Sequence, residues 1–127
     1  MADTRETYRT VTPYLVVTDA DAELAFLKAA FGAAEVSCQR NPNNSVMHAE
    51  IRIGDSLVML GQAGGPCKAR AAAFYLWVDD VDATYAQALK AGAASESEPE
   101  DKPYGHRTAG VIDQHDITWW IGAPVAG

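Results

Sequence analysis

The chain has 127 residues, 48% of them hydrophobic and 21% charged, which is the composition of one globular domain rather than of a disordered or fibrous protein. Ten basic and seventeen acidic side chains give a formal net charge of −7 without a cluster of Lys or Arg, which excludes nucleic acid and anionic membranes as expected partners. Residues 1–7 are polar, no stretch is apolar over the length that spans a membrane, and the two cysteines lack CxxC spacing, so we expect a cytoplasmic protein with reduced thiols.

The first half of the chain predicts one strand, one helix and three further strands. Asp19 can cap the start of the helix, and Gly32 is expected to end it. Apolar and polar residues alternate in VMHAEIRI, as they do in a half-buried strand, and Gly54-Asp55 then predicts a tight hairpin. The predicted strands cover residues 11–17, 34–40, 46–53 and 56–60.

The same order begins again in the second half of the chain. Asp19-x-Asp21-Ala22 recurs as Asp80-x-Asp82-Ala83, an offset of 80 − 19 = 61 residues, and a second helix is predicted from Val81 to Gly92. Residues 95–103 are interpreted as a polar stretch. The predicted strands cover residues 73–78, 106–112 and 117–121.

These elements predict two tandem modules, about residues 10–61 and 72–123, within a single domain of residues 1–127. Because neither module can bury a sheet face alone, we expect an α+β fold in which two tandem βαβββ modules form an eight-stranded cupped sheet with the helices outside. The concave face of the cup is the expected place for a ligand.

Several short motifs occur in an order that is known from one superfamily. They are PYLVV at residues 13–17, AFGA at 30–33, MHAEIRIGDS at 47–56, VDDVDA at 78–83 and AGA at 91–93. In these motifs the chain resembles the glyoxalase / bleomycin resistance protein / extradiol dioxygenase (vicinal oxygen chelate) superfamily, and within it the glyoxalase-like branch that includes 3-demethylubiquinone methyltransferase-like proteins. The resemblance implies the fold but not one activity, because this superfamily contains both enzymes and drug-binding proteins.

The resemblance also implies where a metal would bind. In catalytic members, His, Glu or Gln near the start of the first strand of each module, and Glu near the end of the last strand, hold a divalent ion. Those positions correspond here to Thr12, Met59, Ala73 and Trp120. None of these residues has an imidazole or a carboxylate, so we expect no metal and no cofactor.

Strand alternation places aromatic side chains on the concave face instead. The predicted lining consists of Tyr14, Tyr75, Trp77 and Trp120, while Trp119 is expected to face a helix. Such a lining favours stacking on a flat or hydrophobic ligand. The alternative is that these aromatic side chains fill the cup or bury a dimer interface.

Polar residues complete the candidate site. His48 and Glu50 share one face of their strand, where they would contact a ligand, exchange a proton or form a solvated sheet face. Arg107 lies in a Tyr-Gly-His-Arg stretch that resembles a family motif near the mouth of the cup, where it would meet an anionic group or form an internal ion pair. The candidate ligand-binding residues are Tyr14, His48, Glu50, Met59, Tyr75, Trp77, Arg107 and Trp120.

Three functions are compatible with these residues. The first is the non-catalytic binding or sequestration of a small aromatic or amphipathic molecule, as in bleomycin-resistance-like proteins. The second is a glyoxalase- or dioxygenase-type enzyme with a displaced metal site built from His48, Glu50 or His106. The third is an interaction module with a plugged cup. We expect a homodimer, because the edge strands of half-cups need covering and relatives commonly build the cup from modules of two chains.

Overall fold

Two βαβββ modules follow one another along residues 9–125, which are the residues that the computed structural model describes. The polar residues 1–7 lie outside them. The described chain divides into two compact units, residues 9–28 with 32–70 and residues 29–31 with 71–125. The eight strands belong to two four-stranded sheets, each hydrogen-bonded within its own module, so the predicted α+β fold with two βαβββ modules is confirmed. Within residues 9–125, neither helix has the length and apolar character that crossing a membrane requires.

Module one contains β1 (Tyr14–Val17), α1 (Ala20–Phe31), β2 (Ala34–Arg40), β3 (Val46–Ile53) and β4 (Ser56–Gln62). Its sheet has the order β1-β4-β3-β2, with β1 parallel to β4 and the other neighbours antiparallel. The apolar residues that alternate along these strands are buried on one face: Leu15, Val17, Ala49, Ile51, Val58 and Leu60. The opposite face therefore carries the polar and aromatic residues between them.

Module two contains β5 (Ala72–Trp77), α2 (Val81–Lys90), β6 (Ala94–Asp101), β7 (His106–Ile112) and β8 (Ile117–Pro124). Its sheet repeats the topology of the first, in the order β5-β8-β7-β6 with β5 parallel to β8. Helix α2 contacts β6, β7 and β8. The face of the sheet that points towards α2 contains the buried side chains of Ala109, Val111, Trp119 and Ile121.

Equivalent aspartates begin both helices, as the repeat predicts. The Asp19 carboxylate accepts a hydrogen bond from the backbone N–H of Ala22 at 3.1 Å, and the Asp80 carboxylate accepts one from that of Ala83 at 3.0 Å. Each cap satisfies one N–H group that the first turn leaves unpaired, an effect of about 1 kcal/mol. Helix α1 ends where Gly32 adopts a left-handed conformation with φ 67°, which costs a glycine little.

The strands differ most from the sequence prediction at β6, β1 and β8. The polar stretch after α2 is a strand, β6, because an edge strand paired with one neighbour leaves most of its side chains exposed and shows no hydrophobic alternation. Strand β1 starts at Tyr14 rather than at residue 11, just after Pro13, which lacks an N–H group for the ladder. Strand β8 continues to Pro124 because its last residues pair with the start of β7.

Candidate functional site

The face of the second sheet that points away from α2 carries a cluster of aromatic rings. We call it the aromatic face and define it by Tyr75 and Trp77 of β5, His106 and Thr108 of β7, and Trp120 of β8. The pairing of Tyr75 with Trp120 and of Trp77 with Gly122 places these residues on one side of the sheet. Trp119, only 3% exposed, lies on the opposite, buried side, which confirms the predicted register of the Trp119-Trp120 pair.

The rings of the aromatic face touch one another but remain open to solvent. Tyr75 and Trp77 have ring centroids 4.8 Å apart, and the His106 ring meets that of Trp77 edge-on at 4.8 Å. Tyr104 meets His106 edge-on from the loop before β7, at 5.3 Å. Trp77 is nevertheless 58% exposed and Tyr75 40% exposed. Large aromatic side chains exposed side by side are typical of surfaces that bind a ligand or a partner.

The Tyr75 side chain lies along the sheet rather than standing upright. Its hydroxyl is 3.2 Å from the hydroxyl of Thr108, and either group can be the donor. Thr108 is on β7, and β8 lies between β7 and β5. Because neighbouring strands are about 4.8 Å apart, the Tyr75 ring has to lean over β8, where its hydroxyl lies above Gly122, to make this contact.

Four of the predicted residues lie together on the face of the first sheet that is opposite its buried apolar side chains. We call it the open face of module one and define it by Tyr14, His48, Glu50 and Met59. Met59 pairs with both Tyr14 and Glu50 across neighbouring strands. The Tyr14 ring, in a residue that is 50% exposed, is 5.7 Å from the ring of His48. His48 Nε2 is 3.5 Å from Glu50 Oε1, an ion pair when the imidazole is protonated. This face thus combines one exposed aromatic ring with an imidazole and a carboxylate.

Arg107 does not lie on the aromatic face. Its guanidinium donates to both carboxylate oxygens of Asp82 on α2, at 2.9 and 3.1 Å, and to Asp101 on β6 at 3.0 Å. These hydrogen bonds, first to Asp82 and then to Asp101, raise the pKa of Arg107 above its ordinary value. Of the two interpretations of Arg107 given by the sequence, the structure shows the internal ion pair.

The four positions that the family resemblance assigns to metal ligands hold residues that do not fit a metal ion. In module one, Thr12 donates its hydroxyl hydrogen to the carbonyl of Arg9 at 3.1 Å, and Met59 offers a thioether. In module two, Ala73 and Trp120 pair with Thr118 and Tyr75 on the sheet and offer no donor atom for a cation. His48 and Glu50 supply two ligand groups, fewer than the three that a catalytic zinc site takes from the protein.

The sequence gives His106 only one role, as a ligand of a displaced metal site, and it gives Thr108 and Gly122 none. A signal was present, because residues two apart in β7 share a face and β7 pairs with β8. What the sequence does not show is that the Tyr75 ring leans across β8 toward Thr108.

Comparison with known proteins gives one family and several similar chains. Residues 9–121 match the model of the family described as Glyoxalase/Bleomycin resistance protein/Dioxygenase superfamily. An uncharacterized protein of Mycobacterium bovis (strain ATCC BAA-935 / AF2122/97) is 33% identical over 126 residues, covering 91% of this chain and 83% of that protein. An uncharacterized protein of Mycobacterium tuberculosis (strain ATCC 25618 / H37Rv) is also 33% identical, over 91% of this chain and 74% of its own.

Two solved structures show the same fold. TioX from Micromonospora sp. ML1 has a TM-score of 0.75 at 25% sequence identity, over 94% of this chain and 98% of its own. The fosfomycin resistance protein FosX from Mesorhizobium loti has a TM-score of 0.68 at 18% identity, over 92% of each chain. At that identity the similarity to FosX concerns the fold alone.

Proposed function

The chain belongs to the Glyoxalase/Bleomycin resistance protein/Dioxygenase superfamily, and from this premise we propose that it binds or sequesters a small aromatic or amphipathic molecule without converting it chemically. The observation that carries the proposal is the aromatic face, where Tyr75, Trp77 and Trp120 lie on one side of a sheet and two of them are widely exposed. Removing apolar area from water contributes about 25 cal/mol per Å², so a ring stacked there gains affinity without any charged contact.

The open face of module one supports the amphipathic part of this proposal. We assign Tyr14 and Met59 to apolar contacts, and the half-buried pair of His48 and Glu50 to hydrogen bonds with a polar group of the ligand. We leave Arg107 out, because its guanidinium is already engaged by two carboxylates on the other side of its sheet.

Binding to the aromatic face is directly observable in the intrinsic Trp emission. The chain has three Trp residues, all in module two, and Trp119 is buried among protein groups, so a change on binding reports on Trp77 and Trp120. We expect 2-naphthol, a neutral and planar probe, to change this emission saturably and to release heat in a calorimetric titration. Absence of both effects up to millimolar concentrations of 2-naphthol would refute the proposal.

Metal content separates this proposal from the enzyme alternative. We expect the protein, purified without chelators, to contain no stoichiometric Zn, Ni, Mn or Fe by elemental analysis, because Thr12, Met59, Ala73 and Trp120 provide no site for such an ion. The alternative enzyme would need His48, Glu50 or His106 as ligands. One metal ion per chain that is lost in His48→Ala, together with a measurable turnover, would favour that alternative.

We propose that the binding unit is a homodimer in the cytoplasm, with no role for nucleic acid. Strands β1, β2, β5 and β6 lie at the edges of their sheets, where unpaired backbone groups favour contact with a second chain. The formal charge of −7 disfavours phosphate backbones. Light scattering coupled to gel filtration is expected to give the mass of two chains at micromolar concentration. A monomer mass that does not change with concentration would contradict the homodimer.

A further inference from the structure

We infer that His106 accepts a hydrogen bond from the ligand of the aromatic face, and that this ligand is a ring compound with a hydroxyl group. The inference rests on the proposed binding of a small aromatic or amphipathic molecule and adds the chemical class of that molecule. His106 is half-buried at the start of β7. Its imidazole is the polar centre of a cluster that otherwise consists of large aromatic rings.

The imidazole contacts each of the three exposed aromatic side chains of module two. Its ring centroid lies 4.8 Å from that of Trp77, 5.3 Å from that of Tyr104 and 6.4 Å from that of Tyr75. These three residues are between 40% and 62% exposed, so a ligand can reach them from solvent. A ligand that packs on this cluster therefore comes next to the imidazole.

The backbone around His106 holds the imidazole in this place. The carbonyl oxygen of His106 accepts a hydrogen bond from the backbone N–H of Lys102 at 2.7 Å, and β7 pairs with β8 from its first residue. Arg107, the next residue, lies on the opposite side of the sheet, where its guanidinium is bonded to Asp82. A ring that is packed among neighbours on a paired strand loses little conformational freedom on binding, which favours affinity.

The ring nitrogens of His106 make no hydrogen bond with a protein group within residues 9–125. In module one, by contrast, His48 Nε2 is 3.5 Å from Glu50 Oε1. The two nearest hydroxyls on the sheet, those of Tyr75 and Thr108, are bonded to each other. The imidazole of His106 is therefore available to a polar group of the ligand.

A hydroxyl group is the polar group that suits this imidazole. Neutral imidazole has one nitrogen that accepts a hydrogen bond and one N–H group that donates. The indole N–H of Trp77 only donates, so it cannot accept the hydrogen of a hydroxyl group. The Tyr104 hydroxyl can accept it, but Tyr104 lies on the loop before β7, at the rim of the cluster. His106 is thus the acceptor that lies among the rings.

The charge beside the aromatic face disfavours a carboxylate in place of the hydroxyl group. The Cβ atom of Glu96 lies 3.4 Å from the position that a Cβ of Gly110 would take, and Gly110 is the cross-strand partner of Trp120. Glu96 therefore borders this face from β6, and no Lys or Arg forms a salt bridge with it in the described part of the chain. The formal net charge of −7 also repels an anionic ligand.

The test compares 2-naphthol with 2-methoxynaphthalene, whose ether oxygen cannot donate a hydrogen bond. Equilibrium dialysis below saturation measures the affinity of each probe for a variant relative to its affinity for the wild type, so the different solubilities of the probes cancel. His106→Phe keeps a ring beside Trp77 and Tyr104 and removes the nitrogens. We expect it to weaken the binding of 2-naphthol about fivefold and to change that of 2-methoxynaphthalene by less than about twofold.

Tyr104→Phe is the matched control, because it removes the competing hydroxyl acceptor and adds no atoms. It should change neither affinity by more than about twofold. If His106→Phe does not fold, His106→Leu, which also lacks an acceptor, should weaken 2-naphthol about fivefold more than 2-methoxynaphthalene. An equal loss for both probes, an unchanged affinity for 2-naphthol, or a selective loss of 2-naphthol in Tyr104→Phe instead would overturn the inference. Failure of the wild type to bind either probe would instead overturn the proposed function.

Discussion

Replacing Trp120 with Ala is expected to weaken the binding of 2-naphthol by ~1 kcal/mol or more, about a fivefold loss of affinity, in a protein that remains folded. Trp120 is half-buried on the aromatic face and its ring lies against Gly110, so its removal takes away one ring of that face without opening a cavity in the core. Trp77→Ala should have a similar effect, because Trp77 is 58% exposed and packs against Tyr75. Calorimetric titration of the folded variants measures both effects.

The neighbouring residue provides the control for this prediction. Trp119 is 3% exposed, and its ring lies 5.2 Å from those of Phe31 and Phe74. Its truncation should cost about 3–5 kcal/mol of stability and leave the affinity of the folded fraction unchanged. Tyr85→Ala, which removes an aromatic ring from α2 and not from the aromatic face, should likewise leave affinity unchanged. The binding role of Trp120 is excluded if Trp120→Ala merely lowers the melting temperature, as Trp119→Ala should.

Most of the fold was predictable because the same sequence features occur in both modules. The N-capping aspartates and the alternating strands recur at one offset, and each copy supports the interpretation of the other. The exception was β6, whose sequence ASESEPED contains no apolar residue at alternate positions beyond its first alanine. Its strand conformation comes from pairing with β7 at the edge of the sheet. Tertiary context of this kind is absent from any local sequence pattern.

The sequence predicts on which face of its strand each site residue lies, but it does not predict which side chains touch one another. Period-two alternation correctly separates Trp120 from Trp119, since one residue of register moves a side chain to the other face. It does not predict where a long side chain leans once it is on that face. The contact of Tyr75 with Thr108, and the closeness of the Tyr75 side chain to Gly122, depend on the order of the strands.

The loss of Asp113, a buried polar residue outside the aromatic face, should destabilise the protein strongly. The sequence predicts only a turn at this position, but the carboxylate is 5% exposed and accepts three hydrogen bonds. One oxygen accepts from the backbone N–H groups of His115, at 2.8 Å, and Ile117, at 3.2 Å. The other accepts from the indole N–H of Trp119 at 3.0 Å. Asp113 thus holds together the turn between β7 and β8 and the side chain of the core Trp.

Asp113→Ala is expected to lower the free energy of unfolding by about 3 kcal/mol or more, because it leaves three donors, two of them buried, without an acceptor. Asp113→Asn should be milder, since its amide oxygen still accepts on one side while its NH₂ group faces N–H donors on the other. Asp116→Asn is the control in the same turn: Asp116 is exposed with φ 60°, a conformation that Asn tolerates, and we expect a change within about 0.5 kcal/mol. Denaturant titrations measure the free energy of unfolding of the three variants and of the unchanged protein. If Asp113→Ala proves as stable as Asp116→Asn, the hydrogen bonds of the carboxylate do not hold the β7–β8 turn, and the position of Trp119 is determined by its apolar contacts alone.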